Sequence, residues 1–329
     1  MRNFLIIACF ALVGCSGPAP DNAFPELTGD YLGQGVPGDR AEIFAPGIVS
    51  TGLYTRDLTM TPEGDEIYFC ANIGGFSYAA IMVTRLEAGR WTEPEVASFS
   101  GDSGVMDIEP FISPDGKRFF FMSTRGDSAQ GVEAGNQDIW VMDREGEGWS
   151  NPYNLAAPIN TELAEYFPSV TRDGSLYFTR EGDPASNGMY RSRLKDGVYQ
   201  EPERLPDSVN AGRARFNGSI SPDESFLILP IFGLEDSFGG TDYYIFFRSE
   251  EDQWAGPFHL DERVNSEGRQ ESSASLSPDG KYLFFMSERK VTPPEKLDWQ
   301  GMKNMHNEPG YGLPCIWWIE TSCIEELRP

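Results

Sequence analysis

Histidine, cysteine and positive charge are all scarce in this chain. Only two histidines, His259 and His306, stand among 329 residues. That leaves few ways to build a histidine-dependent catalytic centre, and no nucleophile elbow, zincin helix or phosphate loop occurs. Lysine and arginine total 26 against 51 aspartates and glutamates, a formal charge of −25. So acidic a chain lacks the basic patches that nucleic acid requires and is repelled by anionic lipid. It suits an envelope domain that stays soluble and monomeric. Past the N-terminus no run is long and apolar enough to span a membrane. Of five cysteines, Cys9 and Cys15 lie in the N-terminal segment and Cys70, Cys315 and Cys323 remain. Three thiols allow one disulfide at most, and their spacing matches no metal site. Cys70, inside the strand-like IYFCA, reads as buried packing.

The chain opens MRNFLIIACFALVGCSG. One charge followed by a short apolar run is the layout of a secretory signal. Leu12-Val13-Gly14-Cys15 resembles the bacterial lipobox, which implies a signal peptide over 1–14 and acylation of Cys15. The following stretch, rich in proline, glycine and small polar residues, reads as a tether over 15–36. Loss of Arg2 with the signal takes the charge from −25 to −26. Ser16 after the cysteine resembles the enterobacterial pattern for outer-membrane delivery. The expected location is the envelope, with a lipid as the sole membrane contact and the domain facing the periplasm.

Residues 37–329 carry an internal repeat. TPEGDEIYFCA from Thr61, SPDGKRFFFMS from Ser113, TRDGSLYFTR from Thr171, SPDESFLILP from Ser221 and SPDGKYLFFMS from Ser277 begin 52, 58, 50 and 56 residues apart. In each, a turn with proline second, and Asp-Gly behind it in the best copies, leads straight into a strand of aromatic and aliphatic residues, although Arg172 and Glu224 depart from the pattern. A second landmark holds the register: Trp91, Trp149, Tyr199 and Trp254 each precede a proline by three residues, and that proline precedes the next turn by 19 or 20. A copy therefore holds four strands. A precedes the turn, B follows it, C leads to the aromatic, and D begins at the proline.

These segments resemble the SPDG-type (PD40, WD40-like) repeats of TolB-type β-propellers. The expected fold is all-β, a single propeller of five four-stranded blades, with six as the alternative. One four-stranded sheet cannot cover both its faces, so the sheets must stack radially. The fifth copy ends without room for strand D, while AEIFAPGIVS begins at Ala41, 20 residues before Thr61. The N-terminal segment is therefore expected to supply the missing strand and clasp the ring.

Length variation points to a working face. From turn residue to strand C the distances are 20, 26, 18, 23 and 39, so the variable parts are the B–C loops, which share a face with the D–A connections. The longest, about Glu288 to Pro314, carries Trp299, Met302, Met305 and His306 and reads as a lid.

The A strands alternate. At two, four and six residues before each turn, thirteen of fifteen side chains are polar, which predicts a wet face toward the central channel. Its charged members are Asp57, Asp107, Glu109, Glu165 and Glu271, with Arg215 as base. A structural ion network accounts for them; so does a site at the channel mouth for a cation, a sugar or a basic group. Ca²⁺ suits such carboxylates, but no compact Asp-x-Asp loop is present, so neither a metal nor another cofactor is expected. The leading reading is a non-catalytic binding module for an envelope protein or glycan. The alternative is a glycoside hydrolase or lyase working through Asp57, Glu109 and Glu165. His259, in the strand-like PFHL, reads as structural.

Overall fold

Residues 24–329, except 130, 293 and 312, are described by the computed structural model. The expected signal over 1–14, Cys15 and the tether up to residue 23 lie outside them. The remaining chain forms a ring of five antiparallel blades. From the axis outward, blade I holds Tyr54–Met60, Glu66–Ile73, Tyr78–Glu87 and a split outer strand, Arg90–Trp91 with Glu95–Val96. Blade II holds Asp107–Ile112, Arg118–Ser123 and Asp138–Glu145, with Gly148–Trp149 and Tyr153–Asn154 outside them. Blade III follows with Ala164–Val170, Leu176–Glu181, Gly188–Ser192 and Glu203–Arg204. Blade IV has Ala214–Arg215 and Ser219–Ile220 innermost, then Phe226–Phe232, Thr241–Arg248 and Trp254–His259. Blade V combines Glu271–Leu276, Tyr282–Ser287 and Cys315–Glu320 with Glu42–Ile43 from the other end of the chain. That last pairing, Glu42 opposite Trp318 and Ile43 opposite Trp317, is the expected clasp.

Five apolar clusters occupy the five junctions between neighbouring blades. Because strand side chains alternate, each B strand feeds two of them. In blade II, Phe119 and Phe121 join Tyr68 and Ile81 of blade I, whereas Phe120 joins Leu176 and Phe178 of blade III. The closing junction packs Phe44, Phe284 and Trp318 against Ile67 and Phe69. Each fully buried aromatic contributes about 1.5–3 kcal/mol, so the ring is held by side chains between sheets rather than by hydrogen bonds within them.

The SPDG turns repeat one hydrogen-bonded unit. The Ser113 hydroxyl donates to Asp115 (2.7 Å) and accepts from the Arg118 amide (2.9 Å), and Asp115 accepts from the Lys117 amide (3.1 Å). Ser277, Asp279, Lys281 and Tyr282 repeat the unit. Burial raises the Asp115 and Asp279 carboxyls, but these donors and the nearby lysines more than offset it and hold both below their ordinary range.

Two local readings need correction. Trp91, Trp149 and Trp254 lie on outer strands, not at the end of C, and Tyr199 lies in the hairpin that joins C to D in blade III: Trp91 already pairs with Leu86 across a tight turn at Ala88-Gly89, both in the left-handed region (φ 50° and 78°). The A strands, moreover, do not alternate strictly. The residue four before each turn, Asp57, Glu109, Phe167, Asn217 and Ser273, has φ between 53° and 63°. Strand pairing slips or breaks at the same place in every blade. A bulge inverts which side chains face which way beyond it.

Candidate functional site

The bulge reorganises the axis into three layers, of which the one nearest the turns borders a cavity of about 100 Å³ lined by Thr59, Phe111, Ser219, Ser275 and the turn prolines. Nearest the turns, the hydroxyls two residues before them tie neighbouring blades together. Thr59 accepts from the Ile112 amide (3.1 Å), Ser169 accepts from the Ile220 amide (3.2 Å), and Ser275 donates to the Leu58 carbonyl (2.6 Å). Polar residues recur here because the inner edge of each A strand otherwise lacks hydrogen-bond partners.

The middle layer is a buried charge cluster. Arg56, which strict alternation had placed on the dry side, lies 2.7 Å from Asp57 and 3.2 Å from Glu109. All three are about 95 % buried. The other Glu109 oxygen accepts from the Phe167 amide (2.7 Å), reaching blade III. Burial, with Asp57 adding and Arg56 opposing, pushes the Glu109 carboxyl up to about 8. Burial thus favours the protonated form of Glu109 beside Arg56, which limits the net charge enclosed in the cluster. The Glu109 amide also donates to the Cys70 sulfur (3.2 Å), whose thiol is raised well above its usual range by burial. Cys70, Cys315 and Cys323 are all free and buried.

The third layer holds the acids six residues before the turns. Asp107 accepts from Ser123 (2.6 Å) and Arg125 (2.7 Å). Glu165 accepts from Arg180 (2.6 Å) and from the Thr161 hydroxyl (2.6 Å) and amide (2.9 Å). Glu271 accepts from Ser266 and from Ser287 (3.0 Å), and burial pushes it up to about 8 against those donors and Arg289. The same arginines reach loop carbonyls: Arg125 that of Phe99, Arg180 that of Ile159, Arg289 that of Asn265. Each acid–arginine unit thereby fixes a D–A connection against its blade. Arg215 donates to the Asn187 carbonyl (2.8 Å), and burial and the nearby Arg204 hold it below its ordinary range. Asp57 and Glu109 are brought together, while Glu165 is held separately by Arg180. Among the described residues no group of three or more histidines, cysteines and acids is placed to hold a metal ion.

A further recurrent group went unread in the sequence. Ser50, Ser100, Asn160, Asn210 and Asn265 each accept from an amide at the start of a C strand, those of Ile316, Ile81, Ile139, Met189 and Tyr243. Their signal is a Val, Ile or Phe followed by Asn or Ser, 11 to 13 residues before the next turn. His259 lies on the outer strand of blade IV, with Nε2 2.7 Å from the fully buried Asp242.

The B–C loops and D–A connections share one face, and two features there have no structural partner. A cleft of about 470 Å³ opens between blades I and II, walled by Ile73, Phe76, Tyr78, Val96 and Met106. The long loop folds into a helix, Trp299–Asn307, capped by Asp298, which accepts from the Gly301 amide (2.7 Å). Its C-terminal end lies so close to Gly52 that a Cβ there would meet the His306 carbonyl at 2.3 Å. No helix residue is buried, and Trp299 is 74 % exposed. The cost of wetting Trp299 and Met302, which suggested a closed lid, has not driven them into the protein.

No family model matches the chain, and no curated protein does. Among solved structures it is similar to a TolB candidate from Agrobacterium tumefaciens, at 17 % identity over 82 % of this chain and 90 % of that one, with a TM-score of 0.46. It is also similar to a Xanthomonas campestris gluconolactonase (12 % identity, 93 % and 98 % covered, TM-score 0.42) and a Bacillus subtilis arabinanase (12 %, 80 % and 93 %, 0.48). These likenesses are of fold, and fold does not carry activity with it. Repeat and ring together define the class: a five-bladed β-propeller built from SPDG-type repeats.

Proposed function

We propose that this propeller is a non-catalytic binding module of the bacterial envelope, anchored through an acylated Cys15 and engaging its partner with the loop face. The observation that carries this reading is a division of labour among side chains. The axial acids are buried and held by Arg56, Arg125, Arg180 and serine or threonine hydroxyls. Exposed apolar side chains such as Ile73, Tyr78, Val96 and Trp299, by contrast, stand on the loop face. The path of the chain fits the same reading. The Leu27 carbonyl accepts from the Trp91 amide (2.9 Å) and Glu26 pairs with Arg90 (2.7 Å), so the tether joins the domain beside a C–D turn. A lipid attached from that side leaves the loop face turned away from the membrane.

The test has two arms. The acylated protein is incubated with arabinan and related furanosides while reducing ends are measured, and the soluble domain is co-sedimented with envelope fractions. The expected result is no turnover, with sedimentation lost in Tyr78→Glu. Turnover that disappears in Asp57→Asn, Glu109→Gln or Glu165→Gln would replace this reading with the hydrolase one.

A further inference from the structure

The cleft between blades I and II has a composition more specific than its apolar walls. It is lined by seventeen residues, of which Asp102 alone is charged, and Asp102 stands at the rim with no ion pair among the described residues. Asn72 is 2 % exposed and lines the same cleft. Its amide nitrogen donates to the Tyr54 carbonyl (3.3 Å), but its Oδ1 has no partner. A buried carbonyl oxygen without a donor is destabilising, so the position favours a ligand that brings one.

The cleft is also braced in a conformation the chain would not adopt freely. Gly74, Gly75 and Phe76 are successive left-handed residues (φ 65°, 60° and 69°), and for a bulky aromatic that is a strained conformation. The Phe76 ring is held edge-on by Tyr54 (5.3 Å) and faces the buried Arg56 guanidinium (5.7 Å). The opposite wall depends on Gly101, at φ 92°, where a Cβ would meet Val96 at 2.8 Å. The axial cluster thus supports one wall of an open site.

We propose that this cleft receives a bulky apolar side chain from a basic segment of a partner polypeptide. The proposal rests on the reading that the loop face is the binding face. Its volume lies in the range of about 300–1,000 Å³ typical of ligand pockets. The rim decides between a small molecule and a polypeptide. Tyr78, Val96 and Leu53 stand 67 %, 46 % and 44 % exposed around the opening. A small ligand sunk in the pit leaves them in water, whereas a polypeptide inserting one side chain covers them as well. Charge sets the flanking residues: Asp102 at the rim and a chain charge of −25 attract lysine and arginine. At the floor, Asn72 Oδ1 is shielded from solvent, and a turn of its side chain lets it accept from an indole N–H or a main-chain amide of the inserted segment.

The test uses the ¹⁵N-labelled mature chain and the pentapeptide Ac-Lys-Lys-Trp-Lys-Lys-NH₂, followed by amide chemical shifts. Saturable shifts are expected in residues 72–80 and 101–106. Affinity is expected to fall at least tenfold when the peptide tryptophan becomes alanine or its lysines become glutamate. Asn72→Ala weakens binding about threefold or more. Ala79→Trp, which fills the cleft, abolishes the shifts; Ser103→Trp on the facing wall does the same if the first variant does not fold. Equal binding of the alanine peptide, or binding that survives both plugged variants, overturns the proposal. Saturable shifts confined to 299–307 and 50–52 overturn the cleft but leave the loop face as the binding face. Shifts confined to the turn face, around Val198, overturn both. An absence of saturable shifts up to millimolar peptide overturns the basic-segment proposal alone.

Discussion

The two faces of the ring are built to different rules. On the turn face blades II, IV and V repeat the same few hydrogen bonds around serine and aspartate, blades I and III vary them, and ion pairs staple neighbouring blades. Arg191 meets Asp252 (2.9 Å) and Arg144 meets Glu66 (2.7 Å), each from one blade to the next. On the loop face no two B–C connections have the same length, a helix stands without a buried residue, and a cleft is open. A repeat scaffold that meets its folding requirements at the turns and junctions leaves the other ends of the strands free to vary. The axis belongs with the turn face: its charged side chains hold blades together.

The largest expected effect comes from breaking that axis. Arg56→Met leaves Asp57 and Glu109 buried without their cation and should lower stability by about 3–5 kcal/mol in urea denaturation. Next comes pH. Glu109 and Glu271 have carboxyls raised to about 8 by burial. The folded state therefore keeps protons that the unfolded chain has released, and their contribution is full below the ordinary carboxylate range and lost as pH rises toward 8. The turn aspartates, held low, act oppositely: their contribution is present at neutral pH and lost as pH falls below their unfolded values. Urea midpoints should decline between pH 5 and 8.5, and Glu109→Gln/Glu271→Gln should flatten that limb alone.

Smaller effects sharpen the contrast of faces. Asp115→Ala removes the acceptor for Ser113 and Lys117 and should cost about 1 kcal/mol. Asp102→Ala, at the cleft rim, should leave thermal unfolding unchanged. Replacement of 292–309 by a short Gly-Ser linker is expected to stay within about 0.5 kcal/mol by the same denaturation assay, since no helix residue is buried.

The features legible in the sequence were those with a local chemical cause. Pro62, Pro114, Pro222 and Pro278 set the turns, the constant spacing from outer proline to next turn set the blade register, and Ala41 at the same spacing revealed the clasp. The bulge was not legible. Asp57 and Asn217 tolerate the left-handed region, but Glu109, Phe167 and Ser273 give no sign of it, because the ring imposes it after folding. One missed bulge was enough to hide Arg56 and to make buried, ion-paired acids look like a wet channel. The cleft was hidden for another reason: it joins Asn72 of an inner strand, Val96 of an outer strand and Gly101 of the following connection, which only the packing of blade I on blade II brings together.

The central claim, that the loop face is the working face, is tested most directly by photo-crosslinking in living cells from two equally exposed positions. Tyr78 on the loop face is 67 % exposed, and Val198, in a C–D turn, is 62 % exposed. With p-benzoylphenylalanine at each position, the account predicts a discrete adduct from 78, lost when Ala79→Trp fills the cleft, and none from 198. A discrete adduct from 198 with none from 78 would contradict it.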